Sequence, residues 1–307
     1  KEVARKIVFL CALILLISML TVIIADFADP FVAEAVNDRT RQIYHQTETD
    51  NERYSSPYVN SKFKDLLEIN EEVVGWISID GTNIDYPVLQ KPGDNDYYLT
   101  HNVDNSYTAS GSIFLDKDSD IGYSTETRNL VLYGHHTRSK TMFSKLINYK
   151  DLDFYKEHPT ISFDTLYNDG DWKIVSIMVT NGRAAQDNGN YFNFHVSEFE
   201  SDEAFLTWVE ECKLRSVIDT GVDVVASDTM LTLQTCCYDF DEARLVVVAR
   251  RVRDGESAMV DTNSIVKNKD VIMPYYWYIN QNKKPHQYYT DIGMDQPVSP
   301  NLPTASV

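Results

Sequence analysis

The chain has 307 residues and carries 28 Lys and Arg against 46 Asp and Glu, a net charge of −18. That balance, with no basic stripe anywhere along the sequence, excludes the usual electrostatic footprint of a nucleic-acid binder. Hydrophobic content of 43% and charged content of 24% are ordinary for a globular protein, and the length allows one well-buried domain plus appendages.

The N-terminus departs from that average. Residues 7–25 form an uncharged, almost wholly apolar run, with Lys1, Arg5 and Lys6 before it and Asp26 and Asp29 after it. About 20 apolar residues cross a bilayer as a helix, and a basic flank stays on the cytoplasmic side. The run is long for a cleaved signal peptide and no small-x-small site follows. A single-pass anchor is therefore expected, with residues 1–6 as its cytoplasmic flank and the rest of the chain outside the cell membrane. The chain opens on Lys1, and a start further upstream is expected.

Residues 30–54 are polar with scattered apolar positions and read as a helix leading away from the membrane, broken by Ser55-Ser56-Pro57. Residues 26–57 thus form a helical linker. Residues 62–69 read as a short amphipathic helix. A series of β signals then follows at 74–79, 84–89, 112–116 and 129–133. Residues 142–149 look helical, and strands return at 160–166 and 172–180. The strongest helix after the N-terminus is 201–214. Ser201 or Asp202 can cap it, and Phe205, Leu206, Val209 and Cys212 form its apolar stripe. Strands at 230–235 and 244–252 close a catalytic domain placed at residues 58–253. Mostly antiparallel strands with few helices give a mainly β (α+β) class and a closed barrel. Residues 254–307 show an aromatic cluster, Tyr275 to Tyr278, but no periodicity, and the last dozen residues read as disordered. No repeats are present.

Four cysteines occur, Cys11, Cys212, Cys236 and Cys237. An exported disulfide scaffold shows more cysteines, spaced for pairing. A free thiol outside the cell points instead to nucleophilic use. Thr232-Leu233-Gln234-Thr235-Cys236 reads as a strand ending on a thiol, and Ala243-Arg244-Leu245-Val246-Val247-Val248 as its return strand opening on a guanidinium. The short connection between them lets both groups share one site. Upstream, Asn129-Leu130-Val131-Leu132-Tyr133-Gly134-His135-His136 supplies an imidazole. A Cys, a His and an Arg at strand ends can build a covalent-catalysis site: nearby cations favour thiolate, the imidazole moves protons, and the guanidinium faces a developing oxyanion.

These runs resemble the motifs of class B sortases, membrane-anchored cysteine transpeptidases of Gram-positive bacteria. The resemblance extends through Val73-Val74-Gly75-Trp76-Ile77-Ser78-Ile79, Asn83-Ile84-Asp85-Tyr86-Pro87-Val88-Leu89-Gln90, Asp94-Asn95-Asp96-Tyr97-Tyr98-Leu99 and Gly111-Ser112-Ile113-Phe114-Leu115-Asp116. It implies an eight-stranded sortase barrel with a long helix before the cysteine strand. It also implies Cys236 as nucleophile, His135 as acid and base, and Arg244 as the oxyanion or positioning group. His136 is the adjacent rival, and the pattern assigns the histidine directly after Gly134. By the same resemblance Asn95 and Leu99 contact the substrate, Tyr191 and Phe192 form another wall, and Thr235 orients the nucleophile or lines the pocket. The implied substrate is a surface protein bearing a sorting signal. The acceptor is an amine of a peptidoglycan precursor, with a pilin lysine as the alternative.

Relatives often carry an acidic residue after the nucleophile. Here it is Cys237, a second thiol open to oxidation. A papain-like hydrolase places its Cys before its His, the reverse of the order here, and a non-catalytic binding domain has no need of all three groups. No cofactor or metal is implied: Asp116, Asp118 and Asp120 alternate as a polar turn does, short of a calcium loop. The run Leu302-Pro303-Thr304-Ala305-Ser306 only faintly resembles a sorting signal, since Ala305 stands where Thr is expected.

Overall fold

The computed structural model describes residues 1–49, 59–183 and 185–294. The break expected at Ser55-Ser56-Pro57 and the run at residues 302–306 lie outside the described residues.

Each of the eight runs of β-formers forms a strand, with ends shifted by a residue or so. They are β1 (Val73–Ser78), β2 (Asp85–Leu89), β3 (Ile113–Leu115), β4 (Asn129–Tyr133), β5 (Thr160–Thr165), β6 (Asp171–Asn181), β8 (Met230–Cys236) and β9 (Ala243–Arg251). They close into a barrel in the order β1-β2-β3-β4-β8-β9-β6-β5. Most pairs are antiparallel, and β2–β3 and β4–β8 are parallel. Two short strands, β7 (Ile218–Asp219) and β10 (Val266–Lys267), pair outside the barrel.

Alternation along the strands separates two cores. Leu130, Leu132, Leu231, Leu233, Leu245, Val247 and Ala249 point inward and join one buried cluster. Met230, Val246 and Val248 point outward and pack beneath α4 (Asp202–Arg215), whose Phe205, Trp208, Val209 and Cys212 are buried. The Ser201 hydroxyl caps that helix by accepting from the Ala204 amide at 3.1 Å. Around the rest of the barrel lie the short helices α2 (Lys64–Ile69) and α3 (Leu152–Glu157), and the stretch expected to be helical at 142–149 is a 3₁₀ helix, Phe143–Lys150.

The apolar span and the polar helix that follows it are continuous. α1 runs from Glu2 to Thr49 as one helix with Pro30 inside it. Its segment Glu2–Gln46 is long and apolar enough to cross a membrane. Its C-terminal half docks on the barrel. Tyr44 stacks on Trp76 with centroids 4.3 Å apart, and its hydroxyl donates to Asp164 at 2.6 Å. Asp85 gathers Arg41, His45 and the Trp76 indole N–H. Nearer the apolar half, Asp29 accepts from the Thr108 hydroxyl and the Ala109 amide, both at 3.0 Å.

Arg250, near the end of β9, is 1% exposed. Its guanidinium meets Glu256 at 2.6 and 2.7 Å and Asp223 at 3.0 Å. A guanidinium this deep is stable only with such partners, and the pairing clamps the chain just past β9. The segment beyond is folded although its sequence is aperiodic. It forms β10, α5 (Tyr275–Asn280) and α6 (Gln287–Asp291), and Ile265, Ile272, Met273, Tyr275, Tyr278 and Tyr289 join the same buried cluster as Cys237 and Phe240.

The Tyr44 contacts define a stability test. Tyr44→Phe keeps the stacked ring and removes the hydroxyl bonded to Asp164, and we expect a loss of about 1.5–3 kcal/mol; Tyr44→Ala also removes the stacked ring, and a total of about 3–5 kcal/mol is expected. Thermal unfolding of the full chain in detergent reads both, and a helix that does not dock would leave both variants at the parent midpoint.

Candidate active site

The pairing of β8 with β9 sets Cys236 directly opposite Arg244. Both residues share the outward parity of Met230, Gln234, Val246 and Val248, so thiol and guanidinium rise from the same face. On the other side of β8, the parallel strand β4 places Tyr133 beside Gln234. The ladder continues one step further, since the Gly134 amide donates to the Gln234 carbonyl at 3.2 Å. Two residues past Tyr133 stands His135, and two past Gln234 stands Cys236, both half-buried. Three strand ends therefore bring the three candidate catalytic residues to one rim of the barrel.

His135 is oriented by backbone. Its Nε2 lies 2.8 Å from the carbonyl oxygen of Leu99, in the 3₁₀ turn Tyr97–Leu99. A carbonyl only accepts, so Nε2 carries the proton and Nδ1 is the nitrogen left to gain or lose one. His136 points elsewhere: its Nδ1 lies 3.1 Å from the carbonyl of Cys236, tying the end of β4 to the end of β8.

Arg244 is steered by a turn that the sequence did not reveal as functional. Its Nη2 lies 3.3 Å from Glu242 Oε2, while Glu242 Oε1 accepts from Arg183 at 2.7 Å. Glu242 adopts φ 59°, a left-handed conformation uncommon for a residue bearing a Cβ. Gly182 leaves room for the guanidinium, because a Cβ there would sit 2.9 Å from the Cζ and Nη1 of Arg244.

The expected pocket residues divide. Tyr191 faces the site: burial pushes its phenol up to about 12 against the opposing pull of Arg244. Phe192 turns to α4, where it lies over Trp208 and beneath the Arg215 guanidinium. Asn95 braces its own loop, donating to Asp116 at 2.9 Å and accepting from the Lys117 amide at 2.8 Å. Leu99 packs its side chain beside the Trp76 cluster and gives its carbonyl to His135. Thr235 does not share the face of Cys236. It is 1% exposed on the inward side of β8, and its hydroxyl has no partner among the described residues.

His195 enters the site without a sequence signal, from an irregular stretch with no periodicity. Its Nε2 donates to Gln234 Oε1 at 3.1 Å and its Nδ1 lies 3.4 Å from the Tyr191 hydroxyl. Burial is the main force holding its imidazole below the usual histidine range, a shift toward the neutral form, in which Nδ1 accepts from the Tyr191 hydroxyl. Beside it, Tyr133 donates to Asp116 at 2.6 Å, and burial followed by that carboxylate raises its phenol well above the ordinary range. Cys237 points inward and is 4% exposed. Burial, reinforced by Asp239, pushes its thiol up to about 12, so the second thiol is shielded rather than open to oxidation.

A family model described as the sortase domain matches residues 77–252. Sortase B of Staphylococcus aureus is 32% identical over 241 residues, spanning 76% of this chain and 94% of the relative. Sortase B of Listeria monocytogenes is 33% identical over 63% of this chain and 75% of its own length. Among solved structures, a sortase B from B. anthracis superposes with a TM-score of 0.64 at 32% identity, covering 74% of this chain and 99% of that one. A Staphylococcus aureus sortase B–substrate complex gives 0.64 at 30% identity, covering 73% and 98%. With the barrel, the helix before the cysteine strand and this agreement in hand, the chain belongs to the sortase family and is a class B cysteine transpeptidase that attaches surface proteins.

Proposed function

We propose that Cys236, His135 and Arg244 carry the transfer in two steps. The Cys236 thiolate attacks the scissile carbonyl carbon of a sorting signal, and the carbonyl oxygen takes the negative charge beside the Arg244 guanidinium. As the C–N bond breaks, His135 gives a proton from Nδ1 to the departing amine, leaving a thioester on Sγ. An incoming amine then attacks the thioester, passes its proton to His135, and the C–S bond breaks to restore the thiolate. The observation that carries this reading is the cross-strand pairing of Cys236 with Arg244, with His135 two residues beyond the parallel neighbour of Gln234.

Tyr191 supplies one wall of the groove, held by His195 through Gln234, and the loop braced by Asn95 supplies the other. Thr235 orients Cys236 through the strand rather than by touching substrate. The acceptor in this reading is a cell-wall amine, in keeping with the class, and not a pilin lysine. The apolar half of α1 serves as a single-pass anchor, with the catalytic domain outside the membrane. Residues 58–253 are the catalytic domain, and residues 254–307 are an extension of it.

Incubation with a panel of sorting-signal peptides, followed by mass spectrometry, tests the nucleophile. A thioacyl adduct is expected on the parent chain and on Cys237→Ala, and none on Cys236→Ala. An adduct surviving in Cys236→Ala would sink the assignment. Triglycine or diaminopimelate should then consume the adduct faster than a lysine side chain does.

The tight fit at Gly182 supplies a second test. Gly182→Ala puts a Cβ 2.4 Å from the Glu242 carbonyl and 2.9 Å from the guanidinium, so it shifts the turn and the guanidinium together while leaving the charge in place, and we expect kcat to fall roughly 10- to 100-fold, approaching the loss seen when an oxyanion donor is removed. Steady-state kinetics at parent-level kcat would show that Arg244 does not act from this position.

A further inference from the structure

Asp187 is a carboxylate buried to 1% exposure beside the active site, yet it takes no part in the chemistry above. It lies in the 3₁₀ turn Gln186–Gly189, between β6 and Tyr191. Three donors converge on it. The Asn181 amide at the end of β6 donates at 2.8 Å, and the backbone amides of Tyr275 and Tyr276 donate at 2.8 and 2.7 Å. Those two amides open α5 and have no acceptor within the helix. Asp187 therefore caps a helix that lies in another part of the chain, beyond the region matched by the sortase model.

From that cap, a chain of contacts runs to Arg244. The neighbouring Gln186 donates from Nε2 to the Asp241 carbonyl at 3.0 Å, and its Oε1 accepts from the Arg183 amide at 3.1 Å. Arg183 reaches Glu242, and Glu242 holds Arg244. Packing follows the same route: the Tyr276 ring meets Phe240, in the β8–β9 turn, edge-on at 5.7 Å. Both segments flanking the guanidinium thus rest on the C-terminal extension.

We propose that the extension is a built-in brace of the active site and that Asp187 is its positioning residue, fixing the segment that carries Tyr191 and the Glu242 turn that aims Arg244. This rests on the transpeptidase reading for its kinetic consequence, but not for its structural one. Without the brace, the Glu242 turn loses its support from Gln186 and Phe240, and the guanidinium no longer stands in one place when the oxyanion forms.

Asp187→Asn is the informative variant. Asp187 has φ 54°, a conformation that Asn also tolerates, so the turn survives while one acceptor oxygen is replaced by a donor facing the α5 amides. Gln186→Ala is the companion, cutting the link to Asp241 without touching the extension. Hydrogen–deuterium exchange on the full chain in detergent should show faster exchange at 237–243 in both variants, and at 275–280 only in Asp187→Asn. With sorting-signal peptides, kcat should fall roughly tenfold in both, a part of the loss expected from removing an oxyanion donor, while exchange at 230–235 and 245–251 stays at the parent rate. Unchanged exchange at 237–243 overturns the proposal. So does a fall in kcat accompanied by faster exchange throughout 230–235 and 245–251, which would mark a general loss of fold. A parent chain that turns over no peptide counts against the transpeptidase reading, and the exchange data then decide the brace by themselves.

Discussion

Strand β8 has one antiparallel neighbour and one parallel neighbour, and the site depends on that arrangement. The antiparallel register with β9 puts a guanidinium across from the thiol. The parallel register with β4 carries a histidine to the same end. Only a parallel neighbour can do this, because in an antiparallel pair the end of one strand meets the beginning of the other. Barrel closure then fixes both neighbours at once. The geometry of three residues far apart in sequence is thereby set by backbone hydrogen bonds, not by contacts among the three side chains.

Around this frame, order is supplied from outside the barrel. α4 covers the outward apolar positions of β8 and β9, so the face that ends in Cys236 and Arg244 is dry along most of its length. The segment between β6 and α4 bends over the polar end and contributes Tyr191 and His195. Ion pairs of Arg250 with Glu256 and Asp223 then pin the chain as it leaves β9. The polar groups near the thiol are satisfied by one another, with Gln234, His195 and Tyr191 in one string and Tyr133, Asp116 and Asn95 in another. Such strings resist rearrangement, since breaking one member leaves a neighbour buried without a partner.

The barrel was legible in the sequence because short runs of β-formers set between turn residues are a local signal, and each of the eight strands carries one. The three catalytic candidates were legible because they end, follow or open such strands. What escaped reading was mostly non-local or backbone-borne. The apolar span and the polar helix at 30–54 read as separate segments because their compositions differ, yet backbone hydrogen bonding is indifferent to that change and α1 runs through both. Residues 254–294 carry no period because their apolar side chains fit an existing surface, not a face of their own. Thr235 looked like a pocket residue by adjacency to Cys236, and adjacency on a strand means the opposite face. Asp187, Glu242 and His195 sit in irregular segments, where function depends on which atoms the fold brings near.

The hydrogen bond from His135 to Leu99 separates two duties within one residue. The carbonyl that holds the imidazole is present whatever side chain stands at position 99, whereas the side chain packs beside the Trp76 cluster. Changes of apolar side chain at that position can therefore alter the packing beneath the loop while the backbone contact to the imidazole stays as it is. A loop built this way separates the demands of the core from those of the site it borders.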